Sequence, residues 1–413
     1  MSVEKKEPEI RFKRFSGEWK QHNLGELIDI RSAARVHKEQ WTETGVPFFR
    51  TSDVVSIYKG QENAKAFISY DVYKELTGKI GKVSSGDLLV TGGGSIGIPF
   101  LVPNDNPLYF KDADLLWFKN DQKFDGYFLY TFLFSETFKK YIKSISHIGT
   151  IAHYTIEQAK STPINNCERA EQTAIGNTFQ KLDNLINHHQ QKHDKLSNIK
   201  KAMLEKMFPK QGETVPKIRF KGFSGEWLSN SIGEICGATF GGGTPSTNDK
   251  DFWQGEIPWI QSSDIKDGSV TSVTAKKYIT KTAVNKSATK LISGNSIAIV
   301  TRVGVGKLSL MQGEYATSQD FLSLSDIKID SQYAVYVIWK QLQIEKEQVQ
   351  GTSIKGITKD ELLGKFISYP KSEKEQTAIG NYFQKLDTLI NQHQQQITKL
   401  NNIKQACLSK MFV

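Results

Sequence analysis

A chain of 413 residues with 38% apolar and 24% charged residues excludes a disordered polymer and leaves room for two domains, each with its own core. A formal charge of +10 and a pI near 9.1 favour a polyanionic partner, because each phosphate neutralised releases counterions. Cys167, Cys236 and Cys407 stand far apart with no C-x-x-C pair, which excludes a zinc ribbon or a disulfide framework and points to a reducing cytoplasm. The start, Met-Ser-Val-Glu-Lys-Lys-Glu-Pro, has no apolar signal core, and no apolar run is long enough to span a bilayer, so a soluble cytoplasmic protein is expected.

Taken in chain order, the pattern occurs twice. Ile10-Arg-Phe-Lys-Arg-Phe-Ser-Gly-Glu-Trp19 heads a first insert and returns as Ile218-Arg-Phe-Lys-Gly-Phe-Ser-Gly-Glu-Trp227 before a second. Each insert carries turn-plus-strand units (83–90 and 291–300) and, later, helix-like apolar spacing (Tyr127–Tyr141 and Tyr333–Gln348), which predicts an α/β domain of mixed type. Each ends in a long helix. The block Glu171–Phe208 recurs without a gap at Glu375–Phe412, a shift of 204 residues with about three-quarters of its positions identical. The boundaries read as insert 1–165, helix 166–209, insert 210–369 and helix 370–413, with Pro209 stopping the first helix and Lys210–Pro216 as linker.

Capping boxes are predicted at Asn165-x-x-Glu168 and Ser372-x-x-Glu375. Acidic residues fall in the first turns and lysines in the last, which suits the helix dipole. Heptad spacing picks out Leu182, Leu185, His189, Lys192, Leu196, Ile199 and Met203 as one seam, and Leu386, Leu389, His393, Gln396, Leu400, Ile403 and Cys407 as the other. Parallel and antiparallel pairing both align the polar middles of these seams; the duplicated connectivity favours antiparallel. Plain core packing or homodimerisation would leave the same pattern.

Several fragments imitate catalytic signatures and fail on inspection. Val303-Gly-Val-Gly-Lys307 lacks the first glycine and the final Ser/Thr of a phosphate loop, having Thr301 and Leu308 there. Gly92–Gly97 and Gly241–Ser246 are Gly-rich but open no βαβ unit. Asn106-Pro-Leu-Tyr109 lacks the second proline of the adenine methyltransferase element, and His188, His189 and His193 read as solvated or seam residues before metal ligands. What remains is a set of paired loops: 49–54 with 260–265, 90–97 with 300–307, and 147–150 with 349–352. Short Gly-bearing loops with Arg, Gln, Ser, Thr and Lys suit contact with base edges and phosphates. The candidates are Arg50, Thr51, Ser52, Thr91, Gly93, Ser95 and Thr150 in the first insert. In the second they are Gln261, Ser262, Ser263, Thr301, Arg302, Lys307, Thr352 and Lys355. Asp53 and Asp264 are read equally as caps of a following turn.

Arg-Phe-x-x-Phe-Ser-Gly-Glu-Trp before each insert, Glu-Gln-x-x-Ile-x-x-x-Phe-x-x-Leu-Asp in each helix, and Gly242–Ser246 followed by Ile257-Pro-Trp259 resemble the specificity subunits of type I restriction-modification systems. The resemblance covers essentially the whole chain. It implies two target-recognition domains separated by long helices in an antiparallel coiled coil, each domain reading half of a bipartite duplex target. It also implies a non-catalytic scaffold, with S-adenosylmethionine in two methylation subunits and ATP and Mg in two endonuclease/translocase subunits. The first insert departs from the pattern: Ile30-Arg-Ser-Ala-Ala-Arg35 stands where Gly-Gly-Thr-Pro-Ser is expected. A methyltransferase or nuclease acting alone, or a coiled-coil tether without a nucleic-acid role, are the competing readings.

Overall fold

The computed structural model describes residues 7–111, 114–145, 153–348 and 356–413. The chain divides into two units, residues 1–189 with 396–413, and residues 190–395.

The first unit holds two four-stranded sheets. One runs Asp29–Arg31, Leu115–Lys119, Leu88–Thr91, Pro99–Leu101, antiparallel throughout. The other runs Trp41–Thr42, Ala66–Ile68, Val46–Phe49, Tyr109–Phe110, and its last pair is parallel. Strand Leu88–Thr91 is buried throughout because both faces of its sheet are covered, and alternation sends its side chains to two cores. Leu89, Leu115 and Trp117 pack with Tyr109 and Phe110 of the second sheet. Leu88, Val90, Leu116 and Phe118 belong to the core that also holds Phe128, Ile175, Phe179 and the chain end, Leu408, Met411 and Phe412. The Phe412 ring lies 5.5 Å from Phe128 and 6.4 Å from Trp19. Covering a ring of that size contributes roughly 1.5–3 kcal/mol.

The second unit repeats the arrangement. Cys236–Gly241, Phe321–Ile327, Ser296–Val300 and Leu308–Met311 form an antiparallel sheet, while Lys277–Ile279, Ile257–Ile260 and Ala316–Thr317 form a smaller one with a parallel last pair. Here Phe208 fills the place that Phe412 fills in the first unit, 5.6 Å from Tyr333 and 6.3 Å from Trp227. The helical spacing read late in each insert corresponds to Gly126–Phe132 with Glu136–Ile145, and to Ser331–Gln348. The first is interrupted where Ser135 accepts a hydrogen bond from Phe138 N–H (3.2 Å).

The long helices are Arg169–Lys206 and Glu373–Lys410, and within each unit they pack antiparallel. In the first unit Asn165, just before one helix, donates to the Val413 carbonyl (2.8 Å), and further along Asp183 pairs with Lys404 at 2.5 Å. In the second, Lys200 pairs with Asp387, and Phe208 packs 5.7 Å from Phe383. Both contacting segments run in opposite senses.

Two sequence expectations are corrected. Asn165 caps no helix: it lies in strand Pro163–Asn166, opposite Gln21, and Glu168 instead accepts the first helical hydrogen bonds, from Glu171 and Gln172 N–H. At the second helix Ser372 is the cap residue, but Glu375 does not fold back on it, because its carboxylate is held by Arg219 (2.6 and 2.7 Å). The seam also shifts. Leu182 and Leu386 sit in it, and Leu196, Ile199 and Met203 lean on the core, yet Leu185 is 47% and Ile403 40% exposed. Lys192 and Gln396 face solvent, Leu389, Leu400, His189 and His393 are half-buried, and Cys407 packs at the edge of the first core. The stripe buried late in each helix is Lys200, Leu204, Met207 and Leu408, Met411, one position on from the heptad prediction. A straight helix drifts by ~20° per heptad, and over three heptads that moves the buried face to the next residue.

Candidate nucleic-acid interface

In each unit three loops converge at one end of the sheets, held by the same backbone hydrogen bonds. Lys111 N–H donates to Phe49 O (3.2 Å) in the first unit, as Ser318 N–H does to Ile260 O (3.0 Å) in the second. Gly92 N–H donates to Asp114 O (2.5 Å) and Thr301 N–H to Asp320 O (2.7 Å). Tyr154 N–H reaches Gly92 O and Ile357 N–H reaches Thr301 O, at 2.6 and 2.8 Å. Thr91 N–H bonds Ile98 O as Val300 N–H bonds Lys307 O. These bonds correct the sequence pairing of this loop by one residue: Thr91 matches Val300, and Gly92-Gly-Gly94 matches Thr301-Arg-Val303. The strand registers agree, with Thr91 opposite Leu115 and Val300 opposite Phe321.

The 49–54 and 260–265 loops superpose as read. Asp53 Oδ2 accepts from Arg50 N–H (2.8 Å) and Asp264 Oδ2 from Gln261 N–H (2.9 Å), so both carboxylates cap the turn that follows a strand. Capping uses up part of the candidate set. The Arg50 guanidinium donates to both Asp53 oxygens (2.8 and 3.1 Å) and to Ala64 O, and lies 5.6 Å above the Trp41 ring. It is committed to the fold, and Gln261 holds the matching position half-buried. Thr51 and Ser262 are half-buried first residues of their turns, whereas Ser52 and Ser263 are exposed.

Thr91 is fully buried; its hydroxyl donates to Ser95 O and accepts from Ile98 N–H (2.9 Å). Thr301 is also buried, and its hydroxyl donates to Asp320 O (3.1 Å). Both hydroxyls therefore hold their hairpins. Gly93 is buried, with the Asp114 carboxylate where a Cβ would stand. Ser95 and Arg302 are exposed and Lys307 half-buried. Thr150, Thr352 and Lys355 lie outside the described residues.

Gly242 and Gly243 are explained by crowding. A Cβ on Gly242 would overlap the Ser318 carbonyl oxygen, and one on Gly243 would come within 2.6 Å of the Ala288 carbonyl carbon. Close backbone approach, not a ligand, demands those glycines. The same segment adds Thr244, whose hydroxyl donates to Gln319 Oε1 beside Ser318.

Sequence reading missed the cations around the loops. Lys276 is 66% exposed and stands 3.9 Å from Asp264, and Lys277 lies 5.5 and 5.6 Å from the Trp253 and Trp259 rings. Lys111 donates to Ser32 Oγ (2.7 Å) in the first unit. The Lys276–Lys290 stretch carries five lysines, a signal present in the sequence but without a period to single it out. Such side chains suit phosphates, while the exposed loop residues suit base edges. None of the cysteines is primed as a nucleophile: burial pushes the Cys167 thiol up to about 12 and raises Cys236 and Cys407.

Two stretches, 16–198 and 224–402, match the family described as type I restriction modification DNA specificity domain. The chain is 46% identical over 89 residues to the type I restriction enzyme EcoR124I/EcoR124II specificity subunit of Escherichia coli (21% of either chain). It is 27% identical over 195 residues to the MjaIX specificity subunit of Methanocaldococcus jannaschii, 46% of this chain and 44% of that one. The matched stretches thus span less than half the length of these curated relatives. The fold is similar over 98% of the chain to the type I restriction-modification S subunit from M. genitalium, with a TM-score of 0.66 at 15% identity. With the domain present twice over most of its length, the chain belongs to the type I restriction-modification DNA specificity family.

Proposed function

We propose that this chain is the DNA-reading subunit of a type I restriction-modification complex and performs no chemistry itself. Each unit takes one half of a bipartite duplex site through its loop cluster, and the paired helices set the unread spacer. The observation that carries this reading is one hydrogen-bonded loop frame, built twice, with different exposed residues: Gly94 in one unit, Arg302 and Val303 in the other. The net charge of +10 suits the phosphates of both half-sites. Two methylation subunits holding S-adenosylmethionine, and through them two endonuclease/translocase subunits using ATP and Mg, supply the reactions, in the cytoplasm. Among the described residues no helix is long and apolar enough to cross a membrane.

The test is a genome-wide map of methylated adenines in the source cell with and without this gene. A two-part motif that loses methylation on deletion supports the reading. An unchanged map, with the methylation partner expressed, overturns it.

A further inference from the structure

Val303 is 72% exposed, more than any other large apolar residue described. It sits at the tip of the hairpin turn between strands Ser296–Val300 and Leu308–Met311, next to the exposed Arg302. Loose loops often show such a residue, but this one is fastened on three sides. Thr301 is tied to Asp320 O through N–H (2.7 Å) and hydroxyl (3.1 Å), and its carbonyl accepts from Ile357 N–H (2.8 Å). Gln343 Nε2 donates to Gly306 O (2.9 Å), anchoring the far arm to helix Ser331–Gln348. Gly304 and Gly306, both at φ 92°, allow the tight reversal that lifts Val303 outward. A rigid turn that holds two methyl groups in water has the form of a contact awaiting an apolar partner.

We infer that Val303 is a specificity-determining residue of the second unit and packs on the 5-methyl group of a thymine in the major groove. This rests on the DNA-reading function proposed above. The chemistry selects the target: among base edges in the grooves, only the thymine methyl is an apolar group that identifies a base pair. Valine is not among the side chains that wedge between base steps and unstack them, which are Phe, Leu, Ile, Met and Pro. Arg302 beside it would hold a phosphate or a guanine edge and fix the register. The matching residue of the first unit is Gly94, which has no side chain, so the contact belongs to one half-site only.

The experiment uses the assembled methylation complex and duplexes carrying the mapped target, with each thymine replaced in turn by deoxyuridine. One position in one half-site should weaken wild-type binding about fourfold, the effect of one buried methyl. Val303→Ala should bind the thymine and deoxyuridine versions of that site equally, and respond as wild type to deoxyuridine in the other half-site. Its melting temperature should be unchanged, since the side chain touches solvent. If no thymine matters, or if Val303→Ala keeps the wild-type profile, the inference is overturned. A loss of affinity by Val303→Ala that is as large on random duplex as on the target also overturns it, in favour of a wedge that reads no base. Failure of wild type to prefer the target over random duplex would instead sink the DNA-reading function itself.

Discussion

Lys200 and Asp387 form an ion pair at 2.5 Å with side chains only 8% and 5% exposed, and their repeat partners, Lys404 and Asp183, form the same pair with the donor and acceptor helices exchanged. Each aspartate also accepts a tyrosine hydroxyl, from Tyr336 in the second unit (2.8 Å) and Tyr127 in the first (2.7 Å). The two tyrosines are not equivalent positions. Asp125 and Asp330 begin the matching helices, each accepting from the backbone one turn on and each donating its own N–H to a repeat-matched glutamine, Gln172 or Gln376. Counted from them, Tyr336 matches Thr131, one helical turn beyond Tyr127 and on the same face. The phenol has moved by a turn while the carboxylate kept its partner, which marks the bond itself as the thing retained.

Replacing Lys200 by alanine should therefore cost more than a surface pair would. A buried carboxylate left without its cation loses ~3–5 kcal/mol, whereas removing both charges costs much less. The Lys200→Ala chain should melt well below wild type, and Lys200→Ala with Asp387→Leu should regain much of the loss. Lys79→Ala, which breaks an exposed pair with Glu75, should move the melting point little. Equal melting points for Lys200→Ala and Lys79→Ala would refute this.

The second loop cluster should tolerate one glycine change and reject its neighbour. Gly242→Ala drives a methyl into the Ser318 carbonyl, where backbone must move, at ~1–3 kcal/mol or more. Gly241→Ala meets nothing within 4 Å. Calorimetry and duplex binding should show Gly242→Ala impaired in both and Gly241→Ala near wild type.

Acid should loosen the second unit at two helix starts. Backbone and hydroxyl hydrogen bonds from Ser231 hold Glu234 below the usual carboxylate value of 4.5, and those from Thr358 do the same for Glu361. A depressed folded value means the stabilisation is complete above the ordinary value of 4.5 and is lost as pH falls from there through the folded value. The matching cap in the first unit, Thr155 with Gln158, has no proton to gain. Protection against hydrogen exchange at 359–363, relative to the intrinsic rate at each pH, should fall below pH 4.5 while that at 156–160 changes less, and Glu361→Gln should flatten the first response.

Arg302→Ala should lower affinity for the target by ~1–3 kcal/mol and relax one position of a single half-site. Lys276→Ala should weaken all duplexes alike and reduce the salt slope by about one. A Lys276→Ala complex that changed its preferred sequence would reverse these assignments.

The duplication, both long helices, one strand and the late helical stretch of each insert and the 49–54 loop match were legible in the residues, because repeats and periodicities are local signals. The side chains that matter inside the frame were not. Arg50 has the chemistry of a base reader, and only the positions of Asp53, Ala64 and Trp41 reveal that it is occupied. Thr91 and Thr301 look like neighbours in an alignment, yet hydrogen bonding sets them one place apart. Lys200 and Asp387 were passed over because they fall outside the heptad positions, whereas they are buried by pairing with each other.

The chain end, Leu408–Phe412, completes the core of the first unit, while the second is one continuous stretch, 190–395. A ribosome therefore finishes the later-made reader first. The first unit stays open at Trp19 and Phe128 until residues 408–412 emerge, and chaperones would meet it in that state. A stop codon just before Leu408 would damage the unit encoded farthest from it.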